Sequence, residues 1–150
     1  MVAVGDPAPD FALPDAHLTT VRLSDYREVT PVLVVFYPFV FTRVCSGELA
    51  DLRDAATALA DSVALLAVSC DPPAALREFA GQRGIGYPLL SDFWPHGAVA
   101  RSYGVFNETT GAADRGSFLV GRDGTVRWTV RTAMTQPRSV EEYRRAVAAL

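Results

Sequence analysis

Pro31–Leu49 reads PVLVVFYPFVFTRVCSGEL. Its opening, PVLVVFY, is an unbroken β-branched and aromatic run. Such a run suits a strand covered on both faces, as in a parallel sheet between helices. Pro38 ends the run, and Cys45 follows seven residues later. Leu49, Leu52, Ala56 and Leu59 then repeat at helical spacing, with Asp51, Arg53 and Asp54 between them. Cys45 therefore stands where a strand gives way to a helix, the place where ligands tend to meet open α/β folds. A helix beginning near Thr42 puts Cys45 in its first turn. Backbone N–H groups there lack intrahelical partners and carry partial positive charge, which favours a thiolate. Pro38 removes an N–H and stiffens the turn. Gly47 weakens the helix but leaves room for another chain or a substrate.

The pattern continues outward. Val63–Ser69, VALLAVS, is a second buried strand. Asp71-Pro72-Pro73 supplies a helix cap and a proline-tolerant first turn, and Ala75, Phe79 and Ala80 line one face of that helix. Tyr87–Leu90 reads as a third short strand and Gly97–Tyr103 as a short helix. Ser117–Val120 and Thr125–Val130 flank Arg122-Asp123-Gly124, a hairpin signal. Ser139–Leu150 closes the chain as a helix, with Ser139 and Glu142 as capping box and Val140, Tyr143, Val147 and Leu150 as apolar stripe. Upstream, Gly5–Asp10 is turn-rich, and Phe11–Leu13 with Thr19–Leu23 forms a candidate hairpin. Alternating strands and helices imply right-handed crossovers. The order is compatible with a thioredoxin-like α/β fold: a central mixed β-sheet flanked by helices, with an N-terminal β extension. Residues 1–150 read as one domain.

Composition narrows the function. Hydrophobic residues make up 49%, enough for a real core. The net charge of −3 and the absence of a basic run argue against nucleic acid. The longest apolar run, Val32–Phe41, is half a membrane span and contains Pro38. With no secretory signal pattern, the expected compartment is the cytoplasm. Two cysteines in 150 residues do not make a disulfide scaffold. A reducing compartment leaves room for a working thiol. The competing reading of Cys45 is a packed, inert thiol, the usual fate of free cysteine.

The spacing Pro38-x-x-x-Thr42-x-x-Cys45, with Glu48 beyond, resembles the active-site signature of the peroxiredoxins. Val4-Gly-Asp-Pro-Ala-Pro-Asp-Phe11 resembles the amino-terminal segment of that family. Leu90-Ser-Asp-Phe-Trp-Pro-His-Gly97 and Tyr103-Gly-Val-Phe-Asn107 resemble its actinobacterial one-cysteine members of the alkyl hydroperoxide reductase E type. Asp114-Arg-Gly-Ser-Phe118 resembles the segment carrying the family's active-site arginine. The resemblance implies a thioredoxin fold and reduction of hydroperoxides without a cofactor. It assigns Cys45 as peroxidatic nucleophile, and Arg115 as the cation that favours the thiolate and holds the peroxide. Thr42 would hydrogen-bond the peroxide, and Pro38 would shield the site from water. The N–H groups of Val44 and Cys45 would steady the departing oxygen. Glu48 would orient Arg115. The resemblance further implies an external thiol reductant, mycothiol with a mycoredoxin-like protein or a thioredoxin-like one, and a homodimer.

Other residues have two readings each. Cys70 is either a small buried side chain or a resolving cysteine, which would make a two-cysteine enzyme. Phe39, Phe41, Phe93 and Trp94 are core, dimer interface or an apolar wall for alkyl peroxides. His17 and His96 match no zinc spacing with the cysteines, so no metal site is expected, and His96 is expected to help start a short helix. Arg43 and Arg101 read as solvated. A different class of function, a redox-sensing binding module, would need no turnover. No Cys-x-x-Cys is present to support a dithiol oxidoreductase.

Overall fold

A computed structural model describes residues Met1–Leu150. The apolar run forms β3 (Val32–Phe36), every residue of it buried. It lies at the centre of a five-stranded sheet. On one side it pairs in parallel with β4 (Ala64–Ser69), which pairs in parallel with β5 (Leu89–Ser91). On the other side it pairs antiparallel with β8 (Arg115–Val120), which pairs antiparallel with β9 (Val126–Thr132). The sheet is mixed because two helical crossovers build one half and a hairpin builds the other. Two smaller hairpins complete the strands: β1 (Ala12–Pro14) with β2 (Thr20–Arg22), and β6 (Phe106–Asn107) with β7 (Ala112–Ala113).

Alternation along the central strands sorts their side chains to two faces. Val34, Phe36, Leu66, Val68 and Phe118 face the amino-terminal segment, Tyr103 and α3 (Ala98–Ser102). Leu33, Val35, Leu65 and Leu119 face α1 (Arg43–Ala60) and α4 (Val140–Ala148). Ala67 and Leu89 pack with Leu76 and Phe79 of α2 (Pro73–Arg83). No helix is long and apolar enough to cross a membrane.

The element order follows the sequence, with local departures. The hairpin β6–β7 is additional to the expected elements; its strands are too short to show alternation. Ala55, not Ala56, is buried on α1. The third strand begins at Leu89 because Pro88 has no N–H to donate; Tyr87 instead gives its hydroxyl to the Leu49 carbonyl at 2.7 Å. Asp71 does not cap α2, whose N-cap is Pro72; its carboxylate is drawn to Ser69 and to the Val40 N–H. His96 does not start α3. Asp92, buried, takes the Val99 and Ala100 N–H groups at 3.1 and 2.9 Å, while the His96 ring reaches the carbonyls of Phe93 and Gly111. Arg101 is half-exposed but not simply solvated: it pairs with Glu108 and lies over the Phe106 ring. Ser139 caps α4 by accepting from the Glu142 N–H at 3.4 Å. Leu150, past the helix end, is exposed and outside the stripe.

Candidate active site

Register explains why the candidate site forms. In the antiparallel pair Val32 lies opposite Val120 and Val35 opposite Ser117. The start of β8, Arg115, is thereby brought to the end of β3, where the chain turns through Pro38 into α1. Cys45 is the third residue of α1. The first backbone bond back from this helix is Ser46 N–H to the Thr42 carbonyl, at 2.8 Å. The N–H groups of Arg43, Val44 and Cys45 precede it and stand at the positive end of the helix.

Cys45 is fully buried, at 0% exposure, among Tyr37, Val40, Leu49 and Ala67. One contact to the sulfur is polar: Arg115 Nη1 donates to Cys45 Sγ at 3.2 Å. The same nitrogen donates to Glu48 Oε1 at 2.6 Å, and Arg115 Nε donates to the Met134 carbonyl at 2.8 Å. Glu48 follows Cys45 by one helical turn, so both side chains face the guanidinium.

Glu48 has a second partner that sequence reasoning missed. Arg138 Nε and backbone N–H donate to Glu48 Oε2 at 2.9 and 2.7 Å, and Arg138 Nη2 to Oε1 at 2.9 Å. Arg138 Nη1 also reaches the carbonyls of Phe36 and Gly116 and the Ser117 hydroxyl. This buried guanidinium ties β3, β8 and α1 together. Burial by itself would raise the Glu48 carboxyl; the hydrogen bonds and charge of Arg138, then the charge of Arg115, bring it below its ordinary value. Pro137-Arg138-Ser139 sets a cation just before a helix start, where the dipole mildly disfavours it, but nothing local marks that cation as buried.

The remaining residues divide. Pro38 is buried between strand and helix. Thr42 is the N-cap of α1, but its hydroxyl donates to the Phe39 carbonyl at 2.8 Å instead of capping. Its oxygen lone pairs stay able to accept. Phe39 and Phe41 flank this turn at 37% and 49% exposure, and Trp94, on the loop after β5, is 80% exposed. Phe93 is exposed as well, so the core reading of all four aromatics is excluded. Cys70, buried at the end of β4, is not bonded to Cys45; both thiols are free. Burial first, then the charges of Asp92 and Asp71, push its thiol up to about 12.

Comparison with known proteins shows the family. Residues 4–129 match the AhpC/TSA family. The chain is 48% identical to alkyl hydroperoxide reductase E of Mycobacterium tuberculosis, over 96% of this chain and 93% of that one. It is 34% identical to peroxiredoxin tpx1 of Schizosaccharomyces pombe, over 97% and 80% of the two chains. Among solved structures, Enterococcus faecalis AhpC superposes with a TM-score of 0.90 at 29% identity, covering 99% of this chain and 92% of that one. Peroxidoxin BcpB of Mycobacterium tuberculosis gives 0.85 at 31%, covering 99% and 96%.

Proposed function

The chain belongs to the AhpC/TSA family of peroxiredoxins and is a thiol peroxidase with a thioredoxin-like fold, and we propose that Cys45 is its peroxidatic cysteine. The observation that carries this assignment is the Arg115 guanidinium, which donates to Cys45 Sγ at 3.2 Å while anchored on Glu48 and the Met134 carbonyl. A guanidinium donor fixed this close to the sulfur is also placed to bind a peroxide oxygen beside it.

In the proposed reaction the Cys45 thiolate attacks the terminal oxygen of a hydroperoxide, ROOH. The new S–O bond forms as the O–O bond breaks. The electron pair leaves on RO⁻, which takes a proton and departs as water or an alcohol. Cys45 is left as sulfenic acid. Arg115 holds the peroxide oxygens, the Thr42 oxygen accepts a hydrogen bond from the peroxide, and Pro38 keeps water out. The N–H groups of Val44 and Cys45 meet the charge developing on the departing oxygen. Glu48 holds Arg115 in place and moves no proton. Phe39 and Phe41, exposed beside the turn, are the wall offered to an alkyl group, in keeping with relatives named for alkyl hydroperoxides. Trp94, exposed on the loop after β5, is read as a further part of that wall or as contact with a second copy of the chain in a homodimer.

The sulfenic acid then reacts with an external thiol. Attack on sulfur expels water and forms a mixed disulfide, and a second thiol releases Cys45. A low-molecular-weight thiol such as mycothiol, or a redoxin, fills this role in a reducing cytoplasm, with residues 1–150 acting as one catalytic domain. Cys70 is a poor alternative because its thiol resists ionisation, with a value pushed up to about 12. Intact-mass analysis after one equivalent of peroxide tests the scheme. An added oxygen on Cys45, converted to a mixed disulfide when thiol is supplied, is the expected result. A Cys45–Cys70 bridge would overturn the external-thiol step, and an unmodified Cys45 would overturn the whole assignment.

A further inference from the structure

We propose that Asp71 is a positioning residue for the Cys45 site, its side-chain carboxylate clasping from the neighbouring strand the turn that launches α1. The proposal rests on the reading of Cys45 as the peroxidatic residue. Parallel pairing of β3 with β4 sets Phe36 opposite Val68. The segments at the carboxyl ends of the two strands therefore run side by side: Pro38–Thr42 after β3, Ser69–Asp71 at the end of β4. One carboxylate oxygen, Asp71 Oδ2, accepts from the Val40 N–H at 3.0 Å and from the Ser69 hydroxyl at 2.7 Å. Ser69 is fully buried and in turn accepts from the Asp71 N–H at 3.3 Å. The Asp71 carbonyl accepts from the buried Ser91 hydroxyl at 2.6 Å, so the clasp is fixed to β5 as well.

The clasped turn needs holding. Phe41 has φ of 69°, a left-handed conformation that a bulky side chain adopts only when its surroundings impose it. Phe41 packs edge-on against Phe79 of α2 at 5.4 Å between ring centres, and Val40 is buried beside Cys45. Without Asp71 the Val40 N–H has no acceptor in a buried place, and the turn is free to relax out of the left-handed state. Thr42 and the leading N–H groups of α1, next along the chain, shift with it. The reaction with peroxide depends on those groups being aimed at the departing oxygen. Alkylation of the thiolate does not.

The test compares two reactions of Cys45 in the full chain: oxidation by hydrogen peroxide in stopped flow, and alkylation by iodoacetamide. In Asp71→Ala the peroxide rate constant is expected to fall about 10- to 100-fold, the size of effect that a misplaced catalytic group produces. The alkylation rate should stay within about threefold. Asp71→Asn keeps an oxygen able to accept both hydrogen bonds and should restore the peroxide rate to within about threefold. If Asp71→Ala does not fold, Ser69→Ala removes one donor from the clasp and should show the same split at smaller size. An unchanged peroxide rate, a parallel fall in both reactions, or failure of Asp71→Asn to restore the rate overturns the proposal. Cys45→Ser, run alongside, separates the two claims. Peroxidase activity surviving there overturns the assignment of Cys45, and the role of Asp71 falls with it. Activity lost in Cys45→Ser but kept in Asp71→Ala overturns Asp71 alone.

Discussion

Cys45 and Cys70 are placed alike and surrounded oppositely. Each follows a central strand at the same end of the sheet, and each is buried, at 0% and 4% exposure. Cys45 has a helix start beneath it and a guanidinium against its sulfur. At Cys70 burial first, then the charges of Asp92 and Asp71, raise the thiol, and the Arg101 charge only partly offsets them. Burial therefore does not separate the two thiols. What differs is their neighbours, a guanidinium donor at Cys45 and carboxylates near Cys70.

The largest break in this contrast comes from removing the cation. Arg115→Ala should lower the peroxide rate constant by about 100- to 1,000-fold, the cost of losing one preorganised donor at a developing charge. Cys70→Ser should leave steady-state turnover with external thiol within about twofold. Turnover lost in Cys70→Ser would mean that the two thiols act together and that the contrast misleads.

Next in size is the buried support of Arg115. Arg138→Met leaves Glu48 with one cation in place of two and strips donors from the Phe36 and Gly116 carbonyls. Breaking such a buried pair should cost about 3 kcal/mol in urea unfolding. The Glu48 carboxyl lies below its ordinary value in the folded protein. Its stabilising contribution is thus present above the ordinary value of about 4.3 and is lost as pH falls through the lower folded one. Glu48→Gln should be less stable than the native chain at pH 6, and the gap should narrow toward pH 3. A gap that widens in acid would contradict the ion-pair account.

The smallest effect sharpens the comparison without a mutation. With its thiol pushed up to about 12, Cys70 stays protonated through the neutral range. Iodoacetamide at pH 8 should label Cys45 of the native protein and spare Cys70, while both react in urea. Equal labelling in the folded state would show that burial and the carboxylates beside Cys70 do not govern it.

Much of this was legible in the chain. The apolar run of β3, the helical spacing after Leu49 and the Arg122-Asp123-Gly124 hairpin each depend on a few adjacent residues, and each appears where expected. The departures have a common cause. Asp71, before two prolines, has the local form of a helix cap, yet a strand-end partner 31 residues away takes its carboxylate. His96 likewise precedes a helix whose leading N–H groups are met by Asp92. Arg138 looks like a surface arginine before a helix, and its place in the core depends on a glutamate 90 residues earlier.

The sequence alone determined the alternation of strands and helices, and it determined that Cys45 opens a helix behind a buried strand, because hydrophobic period and turn chemistry are properties of neighbouring residues. Tertiary structure decided which charges stand beside each sulfur. Arg115 is 70 residues from Cys45 in the chain and reaches it only because β8 runs antiparallel beside β3. Charge acts through space, and strand order, which no local pattern encodes, sets the distances over which it acts.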